Sequence, residues 1–403
     1  VDADNSLKIC GAPWGFFWGV QGGWVVSNEP WFAKVPGVNY LKLSAGYDVS
    51  GNDDIDYYAA RSYFRARKFM QSVSFLGDRL NMRFNYFLAN TDHLLTYQNL
   101  NYISGLGENW SNGGSLRNQG FDLTLIGKVL ATKDFQWELG ASVGHYKNKI
   151  TSLAGGRTSF DTNLYGATIH SEVGQAANLF YGYKTAGVFT TSEEAAEAGL
   201  YILGENGVDR SYFGAGDMHF VDRDGDHQIT EADRMVIGDP NPDLYGNIFT
   251  SLNYKRFRLD VNFNYSLGND VYNYMRSQLE GGNRFLNQTT AMTTRWQTEG
   301  QVTTMPKATF QDPMGNSRFS DRWIEDGSYL RLKTVTLSYT LPLHSTFLQG
   351  LQFWIQANNL FTVTKYLGSD PEFSMTGNVL GQGIDLGQLP QCRSFVAGVK
   401  VNL

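Results

Sequence analysis

Residues 257–267 read FRLDVNFNYSL, and their side chains alternate strictly between apolar and polar. The odd-numbered positions are all apolar, from Phe257 to Leu267, while the even-numbered positions are Arg, Asp, Asn, Asn and Ser. Neighbouring side chains of a β-strand point to opposite faces, so this period of two gives one strand an apolar face and a polar face. A segment of this length and pattern is typical of a strand that crosses a membrane between lipid and a hydrated lumen.

The same alternation recurs along the chain. It is found at 80–88, 121–129, 135–143, 335–341, 351–357 and in the closing SFVAGVKVNL at 394–403. About a dozen such segments predict an all-β fold, namely a transmembrane antiparallel β-barrel. A soluble β-sandwich would also alternate. The barrel is favoured because the segments exceed the usual length of soluble strands, and their polar faces carry Asn, Gln, Ser and Thr rather than Lys and Glu.

Composition narrows the classes of function. Aromatic residues make up 14% of the 403 residues and 44 residues are glycine, which suits strands joined by glycine-containing turns. The net charge of −6 is spread without basic runs, which argues against nucleic acid as a partner. Cys10 and Cys392 stand at opposite ends of the chain, so we expect two unpaired, buried thiols. The sequence starts at Val1 within a strand-and-turn pattern, and we expect an N-terminal part of the protein to be absent from it.

The long connections between strands are expected on the extracellular side. In residues 191–234, Thr191 is placed to cap a short helix with Glu194 three residues later, and an acidic loop follows. Further helical pieces are expected at 270–279 and 289–298, and irregular loops at 153–179 and 368–392. Aromatic residues near segment ends are expected to form interfacial girdles: Trp14, Phe17, Trp18, Trp24, Tyr254, Tyr329 and Tyr366.

Residues 222–233, DRDGDHQITEAD, have the spacing of an EF-hand-like calcium loop. Asp222, Asp224 and Asp226 occupy positions 1, 3 and 5. Gln228 at position 7 would offer its backbone carbonyl, and Asp233 stands at position 12. Oxygen ligands at this spacing wrap a cation of the size of Ca²⁺, so the sequence predicts calcium as a weakly bound cofactor.

The same loop departs from the usual pattern at one position. Position 6 normally holds glycine because the backbone there needs a positive φ, yet this chain has His227. The alternative interpretation is a solvated acidic turn held by Asx-type hydrogen bonds. A calcium sensor is not predicted, because such a loop needs a helix on each side, and here the turn-rich GDPNP leads into a strand near Leu244.

Catalytic motifs are lacking in the sequence. The six histidines show neither HExxH nor another paired spacing. No GxSxG elbow is present, because GASVG at 140–144 continues an alternating strand segment and does not lie at a strand-to-helix turn. We therefore expect no enzymatic activity in this chain.

Seven segments follow one another in an order shared with a known family. They are GYKTAGVFTTSEEA (182–195), GDMHFVDRDGDHQIT (216–230), DRMVIGDPNPDLYGNI (233–248), LNYKRFRLDVNFNYSLGNDVYNYMR (252–276), DRWIEDGSYLRLKTVTLSYTLP (321–342), NNLFTVTKYLGSDPEF (358–373) and RSFVAGVKV (393–401). Together they resemble the SusC-like TonB-dependent transporters of Bacteroidetes outer membranes. The resemblance covers most of the chain from about Val38 onward.

This resemblance implies an outer-membrane location, embedded in outer-membrane lipids, and a barrel of about 22 strands with a plugged lumen. Residues 1–403 would supply roughly the C-terminal dozen strands, because the plug domain and the TonB box have no counterpart here. The resemblance also implies a SusD-like surface lipoprotein as a lid, often in a dimer of such pairs, and energy from the TonB complex. The ligand would be an oligosaccharide or an oligopeptide.

Three hypotheses about function remain open at this point. The first is active import of a glycan or peptide, without covalent chemistry in this chain. The second is a SusC-like barrel that serves as a structural subunit of an outer-membrane secretion or assembly complex. The third is a soluble, β-rich calcium-binding enzyme or adhesin.

Overall fold

A computed structural model describes residues 18–32, 35–52, 62–99, 108–204, 206–342, 350–373 and 381–402. The strands of these residues are β1 Gly19–Val25, β2 Val38–Asn52, β3 Ser62–Phe75, β4 Leu80–Asn99, β5 Glu108–Ala131, β6 Phe135–Ser152, β7 Ser159–Leu164, β8 Ala167–Glu172, β9 Leu179–Gly182, β10 Thr185–Val188, β11 Tyr201–Leu203, β12 Arg210–Tyr212, β13 Met218–Phe220, β14 Met235–Gly238, β15 Leu244–Tyr254, β16 Phe257–Leu267, β17 Asp270–Asn273, β18 Ile324–Asp326, β19 Tyr329–Pro342, β20 Gly350–Thr364, β21 Ile384–Asp385 and β22 Ser394–Asn402. The α-helices are α1 Ser192–Ala198 and α2 Tyr274–Leu279, and short 3₁₀ turns include Glu231–Asp233 and Thr290–Thr294.

Eleven of the strands form one sheet in the order β1-β2-β3-β4-β5-β6-β15-β16-β19-β20-β22. All neighbours in this sheet are antiparallel. Each strand therefore pairs with the next strand of the sheet along the chain, as in an up-and-down barrel. This all-β meander confirms the predicted transmembrane barrel class.

In nine neighbouring strands, the pairing places apolar side chains on one face of the sheet and polar side chains on the other. One row of directly paired residues is wholly apolar: Leu41, Val73, Met82, Leu125, Ala141, Ile248, Phe263, Leu332 and Phe361. The adjacent row on the opposite face is wholly polar: Lys42, Ser72, Arg83, Thr124, Ser142, Asn247, Asn264, Arg331 and Thr362. A shift of one residue in any strand would exchange the faces, so the alternation in the sequence sets this register.

The two ends of the sheet differ in their connections. At one end, which we call the turn end, short turns join neighbouring strands at 76–79, 132–134 and 255–256. At the other, the long-loop end, connections run through 153–243, 268–328 and 365–393. Short turns on one side and long loops on the other are the arrangement of outer-membrane barrels.

The long loops pack into a layer of their own at the long-loop end. One buried cluster contains Phe189, Met218, Phe220 and Ile229. A second cluster brings together Ile169, Phe180, Tyr272, Trp323 and Ile384, which come from three different connections. The buried residues of the first cluster all come from one connection, whereas the second cluster joins three, so the described parts of the long loops pack together rather than forming separate flaps.

The expected capped helix of the first long loop is confirmed. Thr191 precedes α1, and its side chain accepts a hydrogen bond from the backbone of Glu194 at 3.2 Å. The Glu194 carboxylate reaches back one residue further than in a standard capping box, and accepts from the backbone N–H of Thr190 at 2.8 Å. Gly199 ends the helix with a φ of 62°.

Several expectations for the loops were wrong. Residues 153–179 contain the β7–β8 hairpin rather than an irregular loop. Residues 270–273 form β17, which pairs with β18 and β21, so only the six residues of α2 are helical there. The helix expected at 289–298 is a 3₁₀ turn of five residues.

The aromatic girdle is only partly as expected. Tyr366 is 6% exposed inside the loop layer, so it is not a girdle residue, whereas Trp18, Trp24 and Tyr254 are exposed. Trp14 and Phe17 lie outside the described residues. Within the described ranges, no helix is long and apolar enough to cross a membrane.

Candidate functional site

The acidic loop at 222–233 lies between β13 and β14, in the first long connection. β13 pairs with β10 and β14 pairs with β9, so strand pairing fixes both ends of the loop. Ile229 is 5% exposed and belongs to the buried cluster around Phe220. The acidic loop is therefore held at both ends by strand pairing and packs into the loop layer through Ile229.

Three carboxylates of this loop converge. Oxygen atoms of Asp222, Asp224 and Asp226 lie within 4.8 Å of one another, and these residues form the one such acidic or His/Cys group found in the described part of the chain. Asp222 accepts backbone hydrogen bonds from Gly225 at 2.7 Å and from His227 at 2.9 Å. The Asp224 side chain accepts from Asp226 at 3.3 Å. These bonds wrap the backbone around the three side chains.

His227 occupies the position where a glycine was expected and adopts the left-handed conformation. Its φ is 62°, which costs a residue with a Cβ about 1–2 kcal/mol. Two contacts hold it: its backbone N–H donates to Asp222, and its ring Nδ1 lies 3.1 Å from the carbonyl oxygen of Ala198 at the end of α1. The geometry required at position 6 is thus achieved by histidine, because the preceding helix anchors its ring.

Gln228 is oriented by its neighbours. The backbone N–H of Tyr201 donates to the carbonyl oxygen of His227 at 2.9 Å. The backbone carbonyl of Tyr201 accepts from the N–H of Ile229, also at 2.9 Å. The backbone N–H of Gln228 points away from Tyr201 and donates to the Asp226 carboxylate at 2.7 Å.

Asp233, at position 12, is fully buried, and its carboxylate accepts two backbone hydrogen bonds. One carboxylate oxygen accepts from the backbone N–H of Arg223 at 2.8 Å, and the other accepts from that of Thr230 at 2.7 Å. The Thr230 bond is half of a capping box at the 3₁₀ turn. The structure therefore brings Asp222, Asp224 and Asp226 together, while Asp233 closes the loop by backbone hydrogen bonds.

The carboxylates of the loop influence each other's protonation. The pKa of Asp224 is raised, first by partial removal from water and then by the negative charges of Asp226, Asp233 and Asp222. The pKa of Asp222 is lowered, because the backbone hydrogen bonds from His227 and Gly225 outweigh the upward effect of its own desolvation. A divalent cation would relieve the repulsion that acts on Asp224.

The polar face of the sheet carries aromatic rings that lie over glycines. A Cβ added at Gly140 would overlap the ring of Phe249, and one at Gly144 would overlap the ring of Tyr245. Phe249 and Tyr245 belong to the polar face of β15, directly opposite these glycines on β6. The lumen face therefore combines polar side chains with flat aromatic surfaces held close to the wall.

A cluster of charges ties the last long connection to the polar face. Arg331 of β19 is 3% exposed, pairs with Asp370, and lies 3.0 Å from Glu372. Lys333 donates to Glu372 at 2.9 Å and to Gln391 at 2.9 Å. The sequence signalled none of these pairs, because strand and loop partners are 39 or more residues apart and only the fold aligns them.

Arginines also lock the other two long connections together. The guanidinium of Arg318 lies 4.9 Å from the ring of Tyr183 and 4.7 Å from that of Phe220. Arg322 lies 4.2 Å from the Trp323 ring, and burial lowers its pKa to about 10 despite the opposing charge of Glu280. Such cation–π contacts hold the loop layer as one packed unit above the sheet.

Comparison with known proteins identifies relatives over nearly the whole chain. TonB-dependent receptor P3 of Formosa agariphila is 30% identical over 82% of this chain and 33% of its own length. TonB-dependent receptor SusC of Bacteroides thetaiotaomicron is 25% identical over 96% of this chain and 40% of its own length. No protein-family model matches the chain. The chain thus spans about a third to two fifths of the length of these relatives.

A solved structure shares the fold. The structure of the RagAB peptide transporter matches with a TM-score of 0.77 and 24% identity, over 96% of this chain and 43% of that chain. The names of these relatives denote receptors or transporters, and none of these names denotes an enzyme.

A two-faced antiparallel meander with turns at one end and long ordered loops at the other defines a transmembrane β-barrel protein. The described residues of this chain form eleven of its strands. The comparisons then specify the family. The chain belongs to the SusC-like TonB-dependent receptors.

Proposed function

We propose that this chain forms part of an outer-membrane barrel that imports oligosaccharides or oligopeptides, with no covalent chemistry of its own. The observation that carries the proposal is the polar row across nine strands, which lines a hydrated lumen on the face opposite the lipid. The two SusC-like and TonB-dependent relatives support import energised through the TonB complex.

A surface lipoprotein of the SusD type is the proposed partner at the long-loop end. The two buried clusters and the buried arginines give this end a firm upper surface, on which a lid can close. The proposed assembly is a pair of the two proteins or a dimer of such pairs. Oligosaccharides and oligopeptides both remain candidate cargo, because side-chain amides and hydroxyls bind either class.

The lumen assignment is tested by paired cysteine variants on β6. Ser142 belongs to the polar row and Ala141 to the apolar row, although they are adjacent in sequence. Cys392 is exposed, contrary to the expectation of a buried thiol, so Cys10 and Cys392 are first replaced by serine. A membrane-impermeant maleimide added to cells should then label Ser142→Cys and leave Ala141→Cys unlabelled. Equal labelling of both variants would contradict a lipid face and a lumen face. Unfolding should also be compared, because Ser142 contacts Asn247 across the strands.

Import itself is tested in cells. Deletion of the gene should abolish uptake of a fluorescent maltohexaose or of a fluorescent oligopeptide, and a protonophore should abolish the same uptake in the parent cells. Unchanged uptake together with loss of secreted surface proteins would instead favour the role of a structural subunit in a secretion or assembly complex.

We also propose that the acidic loop binds Ca²⁺ through Asp222, Asp224, Asp226 and the carbonyl of Gln228, with Asp233 holding the loop closed. The support is the wrapped backbone and the converging carboxylates. Loops of this kind on extracellular proteins bind calcium with dissociation constants of about 10⁻⁴–10⁻³ M. The ion would brace the connection that leads into β15.

Removal of two ligands tests this site. Asp224→Ala combined with Asp226→Ala should remove one calcium per chain in elemental analysis and speed hydrogen exchange at 222–233, while the barrel stays folded. Glu193→Ala combined with Glu197→Ala is the matched control, because it removes the same charge from the exposed face of α1. Unchanged calcium content in the Asp224/Asp226 variant rules the site out.

A further inference from the structure

A row of aromatic side chains follows the turn end of the sheet. Phe135, Tyr254, Phe257, Tyr339 and Phe353 are directly paired across five neighbouring strands. The row lies on the apolar face, because Phe257 is an even number of residues from the other apolar positions of β16. Aromatic residues at strand ends lie at the membrane surface in outer-membrane barrels, so this aromatic row marks that surface at the turn end.

A groove opens on the apolar face beside the aromatic row. Its volume is about 420 Å³, within the range of small-molecule sites. Leu337, Ile355 and Ala397 are directly paired across it, and the small side chain of Ala397 leaves the face low at this point. Phe257 and Tyr339 line the groove at the aromatic row, with their ring centres 4.8 Å apart.

The wall behind the groove is closed. Gly398 lines the groove and is directly paired with Trp354. A Cβ added at Gly398 would overlap the ring of Trp354, so this ring covers the glycine on the polar face. The groove is therefore open toward the lipid and not toward the lumen.

Basic side chains lie at the turn end of the groove. Lys255 and Arg256 form the two-residue turn directly before Phe257, and both are exposed. The Lys255 ammonium lies 5.5 Å from the centre of the Tyr254 ring, which belongs to the aromatic row. Neither Lys255 nor Arg256 forms an ion pair with another described residue. Two cations without a carboxylate partner therefore stand at the membrane surface next to an apolar groove.

The neighbouring turn adds little opposing charge. The backbone N–H of Lys255 donates to the carbonyl oxygen of Asp134 at 2.8 Å, so the turn at 132–134 lies beside it. Lys133 and Asp134 are the charged residues of that turn, and the two turns together hold three basic residues and one acidic residue. An anionic group is therefore attracted to this point of the surface.

One kind of molecule fits both the groove and the charges. The phosphate and the acyl chains of a glycerophospholipid leave the same glycerol unit, so a chain in the groove brings the phosphate to the turn. Phe353 and Ile355 are 43% and 58% exposed, and an acyl chain would cover them. The apolar surface of a second protein would cover the groove but would leave Lys255 and Arg256 without an opposite charge.

We propose that this groove binds a glycerophospholipid of the leaflet at the turn end. Its acyl chain lies against Leu337, Ile355 and Ala397, and its phosphate is held by Lys255 and Arg256. In outer-membrane barrels the turn end faces the periplasm, so the lipid belongs to the periplasmic leaflet. The proposal concerns the wall of the barrel and goes beyond the proposed import function.

The test is photo-labelling of the purified, detergent-solubilised protein. The probe is a phosphatidylglycerol that carries a diazirine in the middle of one acyl chain, and labelled peptides are identified by mass spectrometry. Labelling should concentrate on 350–358 and 394–402, and unlabelled phosphatidylglycerol should suppress it. Dioleoylglycerol has the chains without the phosphate, so it should suppress labelling only at concentrations about thirtyfold higher. Inorganic phosphate alone should not suppress it.

Variants test the two halves of the site separately. Lys255→Gln combined with Arg256→Gln should raise the half-saturating concentration of the probe about thirtyfold, because two cations near the phosphate are lost. Ala397→Phe fills the groove and should raise it at least about fivefold. Lys147→Gln combined with Lys149→Gln is the matched control, because these exposed lysines lie on the same face at the long-loop end. It should leave the labelling unchanged.

Four outcomes would overturn the proposal. The first is labelling spread evenly over the apolar faces of the other described strands, and the second is equal suppression by phosphatidylglycerol and dioleoylglycerol. The third is unchanged labelling in the Lys255/Arg256 variant. The fourth is an equal loss in the Lys147/Lys149 variant, which would show a general attraction of anionic lipid. Labelling needs neither cargo nor an energy source, so its failure is distinguishable from a failure of uptake in cells.

Discussion

Replacement of Arg331 by methionine should strongly loosen the last long connection. Arg331 is 3% exposed, and the Asp370 side chain that it pairs with is 7% exposed. Removal of one partner of a buried ion pair leaves the other charge without compensation and costs about 3–5 kcal/mol. Asp370 also accepts the backbone N–H groups of Glu372 and Gln391, so this cost falls on the docking of 365–393.

Hydrogen exchange followed by mass spectrometry measures this effect locally. A loss of 3–5 kcal/mol corresponds to about two to more than three decades in exchange rate at the amides of Glu372 and Gln391. Arg258→Met is the matched control. Arg258 pairs with Asp260 on the same face of the sheet, but their side chains are 54% and 39% exposed, so the loss there should be about 0–1 kcal/mol.

The double variant separates charge from packing. Arg331→Met with Asp370→Asn removes both buried charges, and it should recover at least half of the loss caused by Arg331→Met alone. Equal effects of Arg331→Met and Arg258→Met would refute the argument from burial. A double variant as unstable as the single one would show that the side-chain volume of Arg331, and not its charge, holds the connection.

Two further predictions concern the sheet and the loop layer. Gly140→Ala should destabilise the protein by about 1–3 kcal/mol in urea unfolding, because its Cβ would displace the Phe249 ring. Gly127→Ala, which has room for a Cβ, should be close to neutral, and equal losses would contradict this account. Hydrogen bonds from the Thr190 side chain and backbone lower the pKa of Glu194 below its ordinary value of 4.5. The stabilisation of the start of α1 is therefore complete above that value and should be lost as pH falls through the lowered pKa, as measured by hydrogen exchange; Glu194→Gln should remove this pH dependence.

One part of the loop layer, the β7–β8 hairpin, has a pattern of its own in the local sequence. SFDTNL at 159–164 alternates as a short strand, and Tyr165 and Gly166 both have positive φ, at 52° and 81°. Two such residues between strands are the mark of a tight hairpin turn, and glycine at the second position was its visible sign. The hairpin could therefore have been predicted from the sequence.

Other parts had no local signal. Asp270–Asn273 was expected to be helical, but it forms β17 because β18 and the parallel β21 supply its hydrogen-bond partners. The residues paired in this small sheet are more than 50 positions apart in sequence. A segment of four residues has too little pattern of its own to outweigh such partners.

The sequence by itself determined the two faces of the sheet and the spacing of the aspartates in the acidic loop. Lipid and water meet opposite sides of each long strand, so period-two alternation is imposed residue by residue and is readable without the fold. The spacing of Asp222, Asp224 and Asp226 is equally local. Only the tertiary structure decided which charged side chains pair, such as Arg331 with Asp370. It also decided where the strand pairing becomes irregular, at Lys333 in β19 and Asn359 in β20. Those features depend on the register between strands and on the docking of distant loops, and these are set by packing energies that no single segment contains.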